Sequence, residues 1–244
     1  MVVSLVEGVM KIPRNAKAGN ALAATGRGPP SRYPRAVRLV NGAAVFLLCL
    51  LFAFADPASG ETRLLVFGDS LTAGSGLRAR DAFPARLEAA LRSDGLAVKV
   101  INGGVSGDTT ATARARLGWA LGTKPDAVLI ELGGNDALRG VAPARTEANL
   151  EAILARLARH NIPVLLCGMY APLNMGRDYG RRFNAIFPRL AERFGVLFYP
   201  FFLEGVAMKP ALNQRDGVHP NRRGVGVIVE RLLPYARELV LQSR

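Results

Sequence analysis

The sequence predicts an α/β domain built on a five-stranded parallel sheet with helices on both faces. Three observations carry this. From Thr62 onward, short apolar runs alternate with stretches of helical spacing. The short runs are apolar at consecutive positions, as in strands buried on both faces. Polar, glycine-rich segments follow the runs, at the edge where open parallel sheets carry their chemistry.

The elements follow in order. Arg63–Phe67 (RLLVF) is the first strand, and Ala82–Ser93 is a helix with Phe83, Leu87, Ala90 and Leu91 on one face. Ala97–Ile101 is the second strand and Thr109–Leu121 a helix. Ala127–Leu132 is the third strand. Pro143–His160 is a long helix with proline in its first turn, where the missing N–H costs nothing. Pro163–Met169 is the fourth strand, Asp178–Phe194 one helix, Val196–Tyr199 the fifth strand and Asn221–Leu241 the closing helix. Neither a repeat nor a linker interrupts the chain after Asp56, so residues 56–244 are read as one domain.

The first 55 residues read as a leader. Ala43–Phe54 (AAVFLLCLLFAF) is an apolar run preceded by Arg35 and Arg38. It is shorter than the ~20 residues a spanning helix needs. Ala53-Phe54-Ala55 suits signal-peptide cleavage, which makes the mature chain begin near Asp56 and the protein exported, to the periplasm or beyond. The alternative is an uncleaved anchor holding the domain at the membrane. Leu48 before Cys49 argues against a lipoprotein cysteine, and Cys167 inside the fourth strand reads as an inert core thiol.

The chain carries a formal net charge of +13. Seven basic residues and one acid in the leader account for six of those charges. The remaining arginines are dispersed through helical segments, without the basic–aromatic interleaving of a nucleic-acid surface, so nucleic acid is not the expected partner. The dispersed arginines read as a solvated surface. The Cys/His clusters and H-E-x-x-H motif of metal sites are absent, so no metal and no cofactor are expected. Gly74-Ser75-Gly76-Leu77-Arg78-Ala79 matches a dinucleotide fingerprint only formally, since it starts well past its strand.

The chemistry points elsewhere. Ser70 lies in a tight Gly68-Asp69-Ser70 turn directly after a buried strand, exposed where a nucleophile needs to be. A serine needs a base, and the mature chain offers His160 and His219. His160 ends a helix and suits its negative dipole end. His219 follows Asp216 by three residues in a glycine-containing turn, a spacing that lets the carboxylate hold one ring nitrogen. Asn135, within Gly133-Gly134-Asn135-Asp136, and the N–H groups of Gly107 and Ser70 are candidate donors to a developing oxyanion. The loops after the fourth and fifth strands supply Met169, Tyr170, Met175, Phe201, Leu203 and Met208 as candidate walls of an apolar substrate pocket, although ordinary packing reads equally well. Arg222 and Arg223 could face an anionic head group, but a surface pair at a helix start is the simpler reading.

In order and spacing, Gly68-Asp69-Ser70-Leu71, Gly107, Gly133-Gly134-Asn135-Asp136 and Asp216-x-x-His219 resemble the four blocks of the SGNH (GDSL-type) hydrolase family. The likeness runs from about Thr62 to Leu241. Glu131-Leu132-Gly133-Gly134-Asn135-Asp136, Pro200-Phe201-Phe202 and Asp216–Asn221 are most similar to its bacterial arylesterase and thioesterase/lysophospholipase branch. Gly168–Gly176 is longer than in the thioesterase members and more arylesterase-like. The resemblance implies a flavodoxin-like three-layer α/β/α sandwich and a Ser70–His219–Asp216 triad. It also implies an oxyanion hole of Ser70 N–H, Gly107 N–H and the Asn135 amide. The expected function is hydrolysis of aryl and short- to medium-chain acyl esters, extending to thioesters or lysophospholipids, with transient contact at a membrane surface. A carbohydrate O-acetylesterase, or a binding module that has lost the reaction, are the alternatives.

Overall fold

The computed structural model describes residues 60–244. The leader, the expected cleavage site, Cys49 and the domain boundary near Asp56 lie outside the described residues.

The described chain runs β1 (Thr62–Gly68), α1 (Ser70–Ala73), α2 (Phe83–Ser93), β2 (Val98–Gly104), α3 (Thr110–Leu121), β3 (Ala127–Glu131), α4 (Gly134–Leu138) and α5 (Pro143–Arg159). It continues through β4 (Val164–Cys167), α6 (Arg177–Asn184), α7 (Ile186–Phe194), β5 (Leu197–Tyr199) and α8 (Arg222–Gln242). All strand pairs are parallel, in the order β2-β1-β3-β4-β5. This is the flavodoxin-like order, with its switch point between β1 and β3. Helices α2 and α8 pack together on one face, and α3, α5 and α7 on the other. Leu64, Leu65, Val66 and Phe67 are therefore all buried, as are Val128, Leu129 and Ile130. Each such side chain contributes roughly 1.5–3 kcal/mol, and among the described residues the core they form runs from Leu64 to Val240.

The register places the carboxyl ends of the strands in one row: Gly104, Gly68, Glu131, Cys167 and Tyr199 are successive partners across the sheet. The loops that leave this row share one rim.

Two elements differ from expectation by more than a residue or two at an end. The second strand extends to Gly104, because Asn102–Gly104 continue the ladder with Val66–Gly68. The helix expected over Asp178–Phe194 is broken between Asn184 and Ile186. Pro188 explains the break, since its ring would clash with the carbonyl four residues earlier, at Asn184. The freed Asn184 side chain accepts from Ala171 N–H at 2.9 Å, tying the break to the loop after β4.

Candidate active site

Ser70 opens α1 immediately after β1. The turn can form there because Gly68 lacks a side chain. A Cβ at Gly68 would stand 2.1 Å from Thr72 Oγ1 and 2.6 Å from Glu131 Oε2. Asp69 caps the helix, accepting from Leu71 N–H at 3.0 Å. That cap leaves Ser70 N–H at the helix start without an acceptor among the described residues.

Ser70 Oγ lies 2.8 Å from His219 Nε2, and His219 Nδ1 lies 2.7 Å from Asp216 Oδ2. Asp216 also builds the turn that carries the histidine, because its Oδ1 accepts from Val218 N–H (2.9 Å) and His219 N–H (3.0 Å). These bonds hold its carboxyl down at about 2, below the usual carboxylate range. The turn is anchored on both sides. Gln214 Nε2 donates to Ser75 O on the Ser70 loop and to Pro220 O. Asn221 caps α8 by accepting from Arg223 and Gly224 N–H.

Asn135 stands on α4. Its Nδ2 donates to Asp69 Oδ2 and to Asp108 O, both at 3.0 Å. Two acceptors on one nitrogen fix which end of the amide carries the hydrogens. The next residue, Asp136, is buried and locks α4 in place, accepting from Thr110 N–H (2.8 Å), Thr110 Oγ1 and Thr146 Oγ1 (3.1 Å). Gly107 has φ +82°, a backbone conformation that suits glycine, and its carbonyl accepts from Arg139 Nη2 at 2.9 Å.

Three participants escaped the sequence reading. Arg116, on α3, pairs its Nε with Asp108 and donates from Nη2 to Gly68 O (3.0 Å) and Gly103 O (2.9 Å). Its guanidinium lies 4.4 Å from the Phe67 ring centre. It thereby ties the ends of β1 and β2 to the loop that anchors Asn135. Its signal was its place on the buried stripe Ala113–Leu117–Ala120 of α3. Glu131 is fully buried, accepting from Thr72 Oγ1 at 2.7 Å, while its Oε1 has no partner among the described residues. Burial and the nearby Asp69 push its carboxyl well above the usual range. Asp69 is likewise pushed up, to about 6, chiefly by burial.

The candidate pocket residues do not form one wall. Met169 is buried, with its Cε against Gly134 beneath Asn135. Tyr170 and Phe201 stack with ring centres 4.4 Å apart. Met175 reaches toward Gly140, Leu203 packs on the core edge, and Met208 projects into solvent. Phe201 also borders a cavity of about 380 Å³ shared with Tyr199, Glu204, Arg231 and Tyr235. His160 lies at the opposite end of the sheet, and Arg222 pairs with Asp81 at 3.1 Å. Among the described residues, no group of His, Cys, Asp and Glu is placed to hold a metal.

Comparison with known proteins identifies the chain. The model of the GDSL-like lipase/acylhydrolase family matches residues 66–226. The Escherichia coli protein named thioesterase 1/protease 1/lysophospholipase L1 is 41% identical over 196 residues, covering 80% of this chain and 92% of that protein. An arylesterase of Vibrio mimicus is 40% identical over 194 residues, covering 79% and 96%. The crystal structure of AlinE4, an SGNH-hydrolase family esterase, is 47% identical with a TM-score of 0.63, covering 74% of this chain and 97% of that one. The chain belongs to the GDSL-like lipase/acylhydrolase family and is a serine hydrolase of ester bonds.

Proposed function

We propose that Ser70 is the nucleophile of this hydrolase, His219 its general base and Asp216 the group that orients the base. The supporting observation is the unbroken run of short contacts from Ser70 Oγ through the imidazole to Asp216. His219 Nε2 takes the Ser70 proton as Oγ bonds to the ester carbonyl carbon. Asp216 accepts from Nδ1–H, which fixes the tautomer and stabilises the imidazolium. The carbonyl oxygen, now negative, is received by Ser70 N–H, Gly107 N–H and Asn135 Nδ2. Asp108 O holds one hydrogen of that amide in place, and the other passes from Asp69 Oδ2 to the oxygen as charge develops. The tetrahedral adduct collapses, the alcohol leaves with the proton from His219, and water repeats the sequence on the acyl-enzyme.

The substrates proposed are carboxylic esters with aryl or short- to medium-chain acyl groups, extending to thioesters and lysophospholipids. The names of its relatives, a thioesterase/protease/lysophospholipase and an arylesterase, and the stacked Tyr170–Phe201 pair support this range. Export is proposed from the basic flank, apolar run and Ala53-Phe54-Ala55 site of the leader.

Ser70→Ala and His219→Ala should each abolish p-nitrophenyl acetate hydrolysis while the protein keeps its circular dichroism spectrum. Parent-like rates in either variant would refute the assignment. A series from acetyl to palmitoyl esters then separates a lipid-directed enzyme from an acetyl-specific one.

A further inference from the structure

We propose that the rim around Ser70 is a docking surface for an anionic phospholipid bilayer, from which the enzyme draws its ester. The inference deepens the lipid-ester reading above and rests on it.

The first observation is where apolar surface is exposed. Of eight large hydrophobic side chains exposed among the described residues, six lie on the loops that leave the carboxyl ends of the strands. They are Val105 after β2, Leu138 at the end of α4, Tyr170 and Leu173 after β4, Met208 after β5, and Val218 beside His219. Leu173 and Met208 are 88% and 83% exposed, more than internal packing would leave. The other two, Trp119 and Leu241, sit near the far ends of α3 and α8. The rim loops adjoin one another: Arg139 bonds Gly107 O, Met175 reaches Gly140, and His219 meets Ser70. Apolar side chains gathered on one face of a soluble domain mark a contact surface.

The second observation is charge. The same loops and the start of α8 expose Arg78, Arg80, Arg139, Lys209, Arg215 and Arg223. Two acids on this rim are paired with arginine, Asp81 with Arg222 and Asp178 with Arg181. Glu204 and Asp216, which holds His219, are the exposed acids of the β5 loop. Each basic side chain near an anionic leaflet adds roughly 1 kcal/mol of attraction, lost within a Debye length. Two weak signals, apolar contact and basic charge, together give useful yet reversible binding. No helix among the described residues is long and apolar enough to cross a membrane. Docking in this way turns the Ser70 mouth toward the lipid.

The test uses the chain from Asp56, the exported form proposed above, with Ser70→Ala so that no lipid is consumed. Cosedimentation with phosphatidylglycerol vesicles should exceed that with phosphatidylcholine vesicles, and added salt should weaken it. Leu138→Asp with Leu173→Asp should lower the partition about tenfold. With Ser70 restored, the same pair should keep p-nitrophenyl acetate hydrolysis within about twofold, as exposed substitutions do. Arg78→Gln with Arg80→Gln should reduce the phosphatidylglycerol preference. Absence of binding by the parent, equal binding to both vesicle types, or unchanged binding by the Leu138/Leu173 variant would overturn the proposal. Loss of soluble-ester hydrolysis on Ser70→Ala reads the catalytic assignment separately, so the two can fail independently.

Discussion

Replacing Arg116 by methionine should loosen both the fold and the reaction, and the structure sets the size of each effect. The side chains of Arg116 and Asp108 are only 17% and 8% exposed. Breaking a buried pair costs about 3–5 kcal/mol, because a charge is left without its partner. The low end applies, since both groups keep a little access to water. A loss of about 3 kcal/mol corresponds to a fall in Tm of roughly 6–12 °C for a domain of this size. Methionine keeps contact with Phe67 but cannot serve the carbonyls of Gly68 and Gly103. The Asp108 loop then shifts, and with it the carbonyl that holds Asn135 Nδ2. A misplaced oxyanion donor should lower kcat about tenfold, less than the ~10²–10³ lost when a donor is removed, while KM changes little. Adding Asp108→Asn should recover part of the stability, because the stranded charge is removed and the main-chain acceptor stays. Urea denaturation and p-nitrophenyl acetate kinetics on the single and double variants measure these effects. A Tm within about 2 °C of the parent, or a large stability loss with kcat unchanged, would refute the reasoning.

Other consequences can be checked in the same assays. Asn135→Ala should lower kcat by about 10²–10³ with KM nearly unchanged; an equal loss carried by KM alone would show the amide binding substrate instead. Asp216→Asn should lower kcat by up to ~10⁴, because the wrong tautomer is then held. Since the Asp216 carboxyl is held at about 2, it stays ionised as pH falls from 7 to 4, and any activity lost in that range comes from another group. Glu131→Gln reads the buried acids. The Glu131 and Asp69 carboxyls are raised on folding, so the native chain holds protons that the unfolded chain has already released. Parental stability should therefore fall as pH rises from about 4 through 6 and beyond. The variant, lacking the Glu131 share, should gain on the parent between pH 5 and pH 8 in urea titrations; a constant difference would contradict the sign.

The sheet was legible because strands buried on both faces appear as unbroken apolar runs, such as Leu64–Phe67 and Ala127–Ile130. The short helices α1 and α4 were not, since four or five residues cannot display a helical period. The break before Ile186 is written in Pro188, whose ring cannot sit over a helical carbonyl four residues back. Around Ser70, the residues read from the sequence were those with local context: a glycine turn, or an acid three positions before a histidine. Arg116 and Glu131 act through contacts 48 and 59 positions away in the chain, which local spacing does not reveal. A cation on a buried helical stripe and an acid inside an apolar strand were nevertheless visible local conflicts, and such conflicts tend to mark functional sites.

The most direct test of the central claim is covalent. The folded protein, treated with a fluorophosphonate and analysed by mass spectrometry of its peptides, should carry one adduct, on Ser70, with hydrolysis lost in step. His219→Ala should slow that labelling severely. An adduct on another residue accompanying loss of activity, or an active enzyme left unlabelled, would contradict the account.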